Sequence, residues 1–315
     1  MKVLITGACG FIGRNLIREL ETYGHELVLA DRQRPEEATV FAPGSGERVV
    51  SSLITQWPFL LADIMNLKQM RSCMEGIDAV VHLAASPTGM PEQGAETFKY
   101  NALGTFHMLE ACRLQGVGRF IAASSINAFG TFYWRINHEP VVYDRLPLNE
   151  DFPPVPQDPY SLSKWVNEET CAAFHRAYGI KTAALRFGAV WTEEMYHRAI
   201  ESGLAPTTSW SDDLFTWVHV HDVVTAIRQA LEAERLPGSG VYTLNAADTR
   251  CPEPTMELLR RWKPDYLGRL SSPLEGRDSL ISTGRAHEAF VYKPRYRLDE
   301  GVRNGAKALS DHEGP

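Results

Sequence analysis

The stretch Asp158-Pro159-Tyr160-Ser161-Leu162-Ser163-Lys164 sets a phenol and an ammonium four residues apart, on one face of any helix that begins there. Asp158 suits an N-cap and Pro159 the first helical position, so the spacing predicts a helix start. A Tyr hydroxyl titrates near ~10 in water, and both a neighbouring cation and the positive end of a helix dipole favour its phenolate. Tyr160 beside Lys164 is therefore suited to exchange a proton with an alcohol or a ketone near neutral pH. The plainer reading is a solvated helix edge, because Tyr and Lys share this spacing on many helices. What stands around the pair decides between them.

The 315 residues suffice for a full core, as one large α/β domain or a domain with a smaller companion. A net charge of -7 with no Lys/Arg block argues against nucleic acid or an anionic membrane as partner. The apolar run after Met1-Lys2 is too short for a signal peptide or a spanning helix, so a cytoplasmic location is expected. Cys9, Cys73, Cys112, Cys171 and Cys251 are odd in number and lack a CxxC pair, which reads as free thiols in a reducing compartment. His219 and His221 stand two apart with no Cys near, so they read as scattered core or surface histidines, and no metal is expected.

The elements that must position Tyr160 and Lys164 follow from the order of apolar runs. Residues 2–6 form a β-rich run ending in Gly7-Ala8-Cys9-Gly10-Phe11-Ile12-Gly13, after which Ile12, Leu16, Ile17 and Leu20 repeat at helical spacing. Glycines there let the backbone approach a diphosphate, and the following helix N-terminus can bind its charge. The second strand ends at Asp31, where a carboxylate would accept from a ribose 2′-hydroxyl and repel a 2′-phosphate. NAD is thereby favoured over NADP, a preference that the adjacent Arg32 softens. Leu60-Leu61-Ala62-Asp63 reads as a third strand, with Asp63 and Ile64 placed to meet an adenine ring; a helix cap before Leu67 is the alternative for Asp63. Residues 78–85 form a fourth strand whose end, Leu83, Ala84 and Ala85, would let a cofactor pass. A helix over 92–115 carries Asn101, and a fifth strand over 119–123 ends at Ser124-Ser125.

Strands alternating with helices describe a Rossmann-type α/β fold, a doubly wound parallel sheet with a small C-terminal substrate-binding region. The expected division gives residues 1–186, joined by 214–247, to the dinucleotide-binding domain, and 187–213 with 248–315 to the substrate side. Ligands of such sheets bind at the C-terminal strand ends, which places Ser86, Ser125, Ile126 and Asn127 near a substrate. The polar, aromatic stretch after Gly130, with Phe132, Tyr133, Trp134, Arg135, His138 and Arg145, reads as an active-site loop or a surface flap. Residues 35–57 read as a surface excursion, with a helical or extended piece over 49–54. Further on come a sixth strand over 181–186, a helix over 193–202, an extended piece over 215–218, a helix over 221–234 and a last clear strand over 240–244.

A glycine loop, a serine at the end of the fifth strand and a Tyr–Lys helix together resemble the extended short-chain dehydrogenase/reductase family, the NAD-dependent epimerase/dehydratase group. The resemblance rests on Thr6-Gly7-Ala8-Cys9-Gly10-Phe11-Ile12-Gly13, His82-Leu83-Ala84-Ala85, Asn101 in Asn101-Ala102-Leu103-Gly104-Thr105, Ser124-Ser125, and Tyr160 with Lys164. It implies hydride transfer with a nicotinamide cofactor. Tyr160 would move the hydroxyl proton, Lys164 would lower the Tyr pKa and hold the nicotinamide ribose, and Ser125 or, less in line with the family, Ser124 would bond the reacting oxygen. It also implies a homodimer through the helices of Asn101 and Tyr160, whose apolar positions Phe98, Phe106, Trp165 and Phe174 suit a four-helix interface or the monomer core.

Departures from the family pattern bear on the substrate. Nucleotide-sugar members carry an Asn shortly after the strand-six Arg, where this chain reads Arg186-Phe187-Gly188-Ala189-Val190-Trp191. They also tend to carry an Arg-Asp pair where this chain has Leu214-Phe215-Thr216-Trp217. A smaller polyol, sugar or sugar acid is therefore expected, as in uronate dehydrogenases of the group, with Arg135, Arg145 or Arg186 able to pair with a carboxylate. The alternative is a UDP-glucose 4-epimerase-like or dehydratase enzyme that keeps NAD bound. A third class is a dinucleotide-sensing or scaffold protein without catalysis.

Overall fold

The computed structural model describes residues 1–41, 48–130 and 141–298. Phe132, Tyr133, Trp134, Arg135 and His138, read above as part of an active-site loop, lie outside the described residues, as does the tail after 298.

Seven strands form the main sheet: β1 (Lys2–Thr6), β2 (Glu26–Asp31), β3 (Phe59–Leu61), β4 (Ala79–His82), β5 (Arg119–Ser125), β6 (Lys181–Phe187) and β7 (Ser239–Leu244). They lie in the order β7-β6-β5-β4-β1-β2-β3, every neighbouring pair parallel. The chain order reverses between β1 and β4, which creates a crevice beyond their C-terminal ends. Strand interiors are continuous apolar runs rather than alternating ones, because helices cover both faces.

Among the described residues eight α-helices accompany the strands: α1 (Phe11–Thr22), α2 (Leu67–Ser72), α3 (Gly94–Gln115), α4 (Pro159–Tyr178), α5 (Glu193–Ser202), α6 (Val220–Glu232), α7 (Thr255–Trp262) and α8 (Gly284–Phe290). One core lies between the sheet and α1, α6 and α8, with Leu16, Leu20, Ile227, Leu231 and Phe290. The other lies under α2, α3 and α4, with Met70, Met108, Cys112, Cys171 and Phe174. A third cluster stands apart from the sheet. It joins Ile126 and Phe129, just after β5, to Tyr143, Leu146, Leu148, Leu214, Leu259, Tyr266, Leu280 and Ile281.

α4 starts where the sequence predicts: Asp158 Oδ1 accepts the Ser161 N–H at 2.8 Å, Pro159 takes the first turn, and Gly179, at φ 75°, ends the helix. α6 begins one residue before the expected start because His219 caps it. The piece expected over 49–54 is a short strand, Arg48–Val50, antiparallel to Thr39–Phe41. The extended piece expected over 215–218 shrinks to Val218–His219, paired with Val190–Trp191. Leu214 and Phe215 instead adopt φ of 57° and 55°. Leu214 enters the third cluster while Phe215 packs with Cys251 and Leu258 in a separate one. The left-handed backbone costs about 1–2 kcal/mol per residue, which this packing has to offset. Among the described residues no helix is long and apolar enough to cross a membrane.

Candidate active site

The glycine turn after β1 is pressed against the end of β4. Gly7 has φ 71°, and a Cβ there would come within 2.7 Å of the Ala84 nitrogen and 2.9 Å of the Leu83 carbonyl carbon. Gly10 is the N-cap of α1, with no side-chain bond closing the helix start and no carboxylate in its first turn, so the N–H groups and dipole favour an anion. Asp31, at the end of β2, accepts the Cys9 N–H on Oδ2 and the Gln33 N–H on Oδ1, both at 3.0 Å. Its carboxylate is thus fixed beside the turn. Phe11, Ile12, Leu83, Ala84, Ala85 and Ser86 are all partly exposed around this crevice. These features fit a dinucleotide.

Arg32 is exposed and turns its guanidinium to 5.0 Å from the centre of the Tyr100 ring. Burial pushes the Tyr100 hydroxyl up to about 12 against the opposing pull of Arg32. Asp63 does not cap α2. It accepts the Met65 N–H at 2.9 Å, while Asn66 caps the helix by accepting the Gln69 N–H at 3.2 Å. Ile64, expected at the cofactor, is 3% exposed, lies under Gly104 of α3, and gives its carbonyl to His107 Nδ1 at 3.0 Å. Its side chain belongs to the core.

At the end of β5 the two catalytic candidates of α4 meet the sheet. Lys164 Nζ donates to the Ala123 carbonyl at 2.9 Å and lies 5.5 Å from the centre of the Tyr160 ring. Burial pulls the Lys164 ammonium down to about 8, and Glu168 opposes that shift. Tyr160 is partly exposed in the first turn of α4. Ser125 Oγ accepts the Asn127 N–H at 3.2 Å, and both residues are 8% exposed. Ser124 is different, because its hydroxyl donates to Glu168 Oε1 at 2.6 Å. Of the two serines, Ser125 is the one available to a reacting oxygen. Ile126 turns into the third cluster.

Two residues expected at ligands are engaged within the chain. Asn101 Oδ1 accepts the Ser86 N–H at 2.7 Å, and Nδ2 donates to the Ser86 carbonyl at 3.0 Å and to Ser163 Oγ at 2.9 Å. Its amide clamps the loop after β4 onto α4. Arg186, expected at a substrate carboxylate, is 2% exposed and bidentate on Glu168, through Nε at 2.8 Å and Nη2 at 2.7 Å. An internal carboxylate takes two of its nitrogens, while Nη1 is buried without a hydrogen-bond partner. His82 bridges Thr6 Oγ1 at 2.8 Å and Thr105 Oγ1 at 3.2 Å, and burial together with Lys164 pushes it down to about 3. It is a neutral strut between β1, β4 and α3.

Glu168 was missed in the sequence, although a carboxylate four residues after Lys164 on the same face is a readable signal. So was the meeting of His219 and His221 with Glu193, whose Oε2 lies 3.2 and 3.3 Å from their Nε2 atoms. That cluster has the composition of a metal centre. His219 Nδ1 accepts the His221 N–H at 3.2 Å as the α6 cap, and its Nε2 is buried without a hydrogen-bond partner.

Residues 3–244 match the model of the NAD dependent epimerase/dehydratase family, and the chain belongs to that family. GDP-mannose 3,5-epimerase of Arabidopsis thaliana is 30% identical over 190 residues, 59% of this chain and 46% of that protein. Uronate dehydrogenase of Pseudomonas syringae pv. tomato is 26% identical over 241 residues, covering 76% of this chain and 73% of the enzyme. Among solved structures, MoeE5 in complex with UDP-glucuronic acid and NAD is 26% identical at a TM-score of 0.66, covering 98% of this chain and 100% of that one.

Proposed function

We propose that this protein is an NAD-dependent oxidoreductase that moves a hydride at a secondary alcohol or ketone carbon of a sugar, sugar acid or related polyol. The observation that supports this reading is the bond of Lys164 to the Ala123 carbonyl, two residues before Ser125 at the end of β5, from the same first turns of α4 that carry Tyr160. NAD fits the crevice alongside. Gly7, Gly10, Phe11, Ile12 and Gly13 hold its diphosphate, Asp31 its adenine ribose, Asp63 the adenine side, and Leu83, Ala84 and Ala85 the path towards the nicotinamide. Bound NAD supplies the hydride acceptor.

The chain supplies protons and position. Tyr160 takes the hydroxyl proton of the alcohol, or returns it to the ketone in the reverse direction. Lys164 favours the phenolate through its charge and holds the nicotinamide ribose. Ser125 donates its O–H to the reacting oxygen, a contact worth about 3–4 kcal/mol when pre-placed. Ser86 and Asn127 flank the substrate, with residues 187–213 and the chain from 248 onward on its far side.

A small substrate is favoured by what stands where nucleotide-sugar members carry an Arg-Asp pair. Phe215 and Thr216 are buried there, and the nearby cation, Arg250, is paired to Asp213 at 2.9 Å and donates to the Thr216 carbonyl at 2.8 Å. A diphosphate would have to displace Asp213. The uronate dehydrogenase relative points the same way. A second reading is an epimerase of a nucleotide sugar that keeps its NAD, and the likeness to the complex of MoeE5 with UDP-glucuronic acid favours it. A screen of sugars, sugar acids and nucleotide sugars with NAD and NADP, run on wild type and Tyr160→Phe, separates the two. Stoichiometric NADH from a free sugar or sugar acid is expected. Rearrangement of a nucleotide sugar without net NADH would sink the first reading.

The enzyme works as a cytoplasmic homodimer. Support for the compartment comes from five free and buried thiols. Support for the dimer comes from the outer face of α3 and α4, where Leu103, Phe106 and Leu162 are 39%, 45% and 37% exposed beside a groove of about 450 Å³ lined by Phe106, Trp165, Ala173 and Phe174. Phe174 itself is 6% exposed and forms the floor.

A further inference from the structure

α4 carries a buried carboxylate that the proton-transfer scheme leaves unused. Glu168 stands one turn after Lys164 and is 4% exposed. Its Oε1 receives the Ser124 hydroxyl at 2.6 Å and Arg186 Nε at 2.8 Å, and its Oε2 receives Arg186 Nη2 at 2.7 Å. The guanidinium lies 4.3 Å from the centre of the Phe129 ring. A buried pair of this kind is expensive to desolvate, and well-packed apolar residues often stabilise a fold as well or better. Stability alone is a weak reason for a carboxylate at this position.

Its neighbours supply a stronger one. Ala123, Ser124 and Ser125 are consecutive in β5, and α4 grips the first through Lys164 and the second through Glu168. The third is the serine at the reacting oxygen. We propose that Glu168 is a positioning residue of this site, fixing the end of β5 through Ser124 and keeping a counter-charge one turn beyond Lys164. The inference rests on the reading of Ser125, Tyr160 and Lys164 as the catalytic group.

The charges facing Lys164 are consistent with this role. His82 on β4 is held neutral and the Tyr160 ring on α4 has its centre 5.5 Å from the ammonium, while Glu168 on α4 opposes the effect of burial. Arg186 on β6 keeps the carboxylate in place. Cys171, three residues on, has its thiol pushed up by burial and by the same carboxylate, so it stays protonated. Removing the negative charge leaves the effect of burial on the ammonium unopposed, and Lys164 then loses its proton at lower pH.

The test compares pH profiles of kcat for the full chain, using the substrate found by the cofactor screen. The variants are Glu168→Gln, Glu168→Asp, Ser124→Ala and Tyr160→Phe, each checked for folding by thermal melting and for NADH binding by fluorescence. Glu168→Gln is expected to move the alkaline limb about one pH unit lower, the size of a charge effect across one helical turn. Glu168→Asp, which keeps the charge, restores more than half of that shift. Ser124→Ala keeps both charges and lowers kcat about tenfold with the limb unmoved, as a displaced oxyanion donor would. A merely structural Glu168 would lower the melting temperature and leave the limb where it is, and that result overturns the proposal. If Glu168→Gln does not fold, Ser124→Ala decides, and wild-type kcat in that variant is equally fatal. Full activity of Tyr160→Phe would instead remove the catalytic reading on which the inference stands.

Discussion

Lys164 holds its ammonium against a main-chain carbonyl, almost out of contact with water, and burial brings its pKa to about 8. The sign is direct: the charged form exists below that value and is lost above it. The rate of the chemical step is therefore expected to fall as the pH rises through about 8. A profile that stays flat into the ordinary lysine range would show that Tyr160 does not depend on this charge. At the other end of the crevice, Asp31 is fixed by two backbone N–H groups. Asp31→Asn keeps an acceptor and removes the repulsion towards a 2′-phosphate, so the ratio of kcat/KM for NADP over NAD should rise about tenfold or more. An unchanged ratio would mean that another residue selects the cofactor.

At the scale of elements, the outer face of α3 and α4 carries the assembly prediction. Phe106→Glu places a carboxylate on an aromatic of that face that is 45% exposed, and light scattering at micromolar concentration should report the mass of one chain where wild type reports two. A wild-type monomer would remove the dimer altogether. The same scale shows what was legible beforehand. α4 could be read from Asp158, Pro159 and the spacing of Tyr160 and Lys164, because capping and helical periodicity are local. The strands could be read because a sheet covered on both faces needs uninterrupted apolar runs. Asn101, Ile64 and Arg186 could not, since their partners, Ser86 and Ser163, Gly104, and Glu168, stand on other elements or far along the same fold. A sequence displays residue type and spacing; it does not display which distant group has already taken a side chain's donors. Phe215, read as the start of an extended piece, was misread for a related reason: its packing against Cys251 and Leu258 involves residues far along the sequence.

Over the whole molecule, the chain's later segments are fastened by buried acids. Asp248 is fully buried and accepts from Arg277 Nη2 at 2.9 Å, from Trp217 Nε1 at 3.2 Å and from the Leu298 N–H at 2.9 Å. Asp248→Ala leaves the Arg277 charge without its partner and should lower the unfolding free energy by about 3–5 kcal/mol in urea titrations. A loss below about 1 kcal/mol would mean that these contacts are peripheral. The path of the chain gives this a wider meaning. After leaving β5 it enters the third cluster, returns for α4 and β6, leaves again towards Leu214, returns for α6 and β7, and leaves once more before α8 brings Ala286 and Phe290 back under the sheet. The sheet and the third cluster are therefore laced together and cannot be exchanged like separate modules. Change of substrate in such a fold has to come through loop replacement between fixed crossings, and any graft of the distal half from a relative must match every crossing at once.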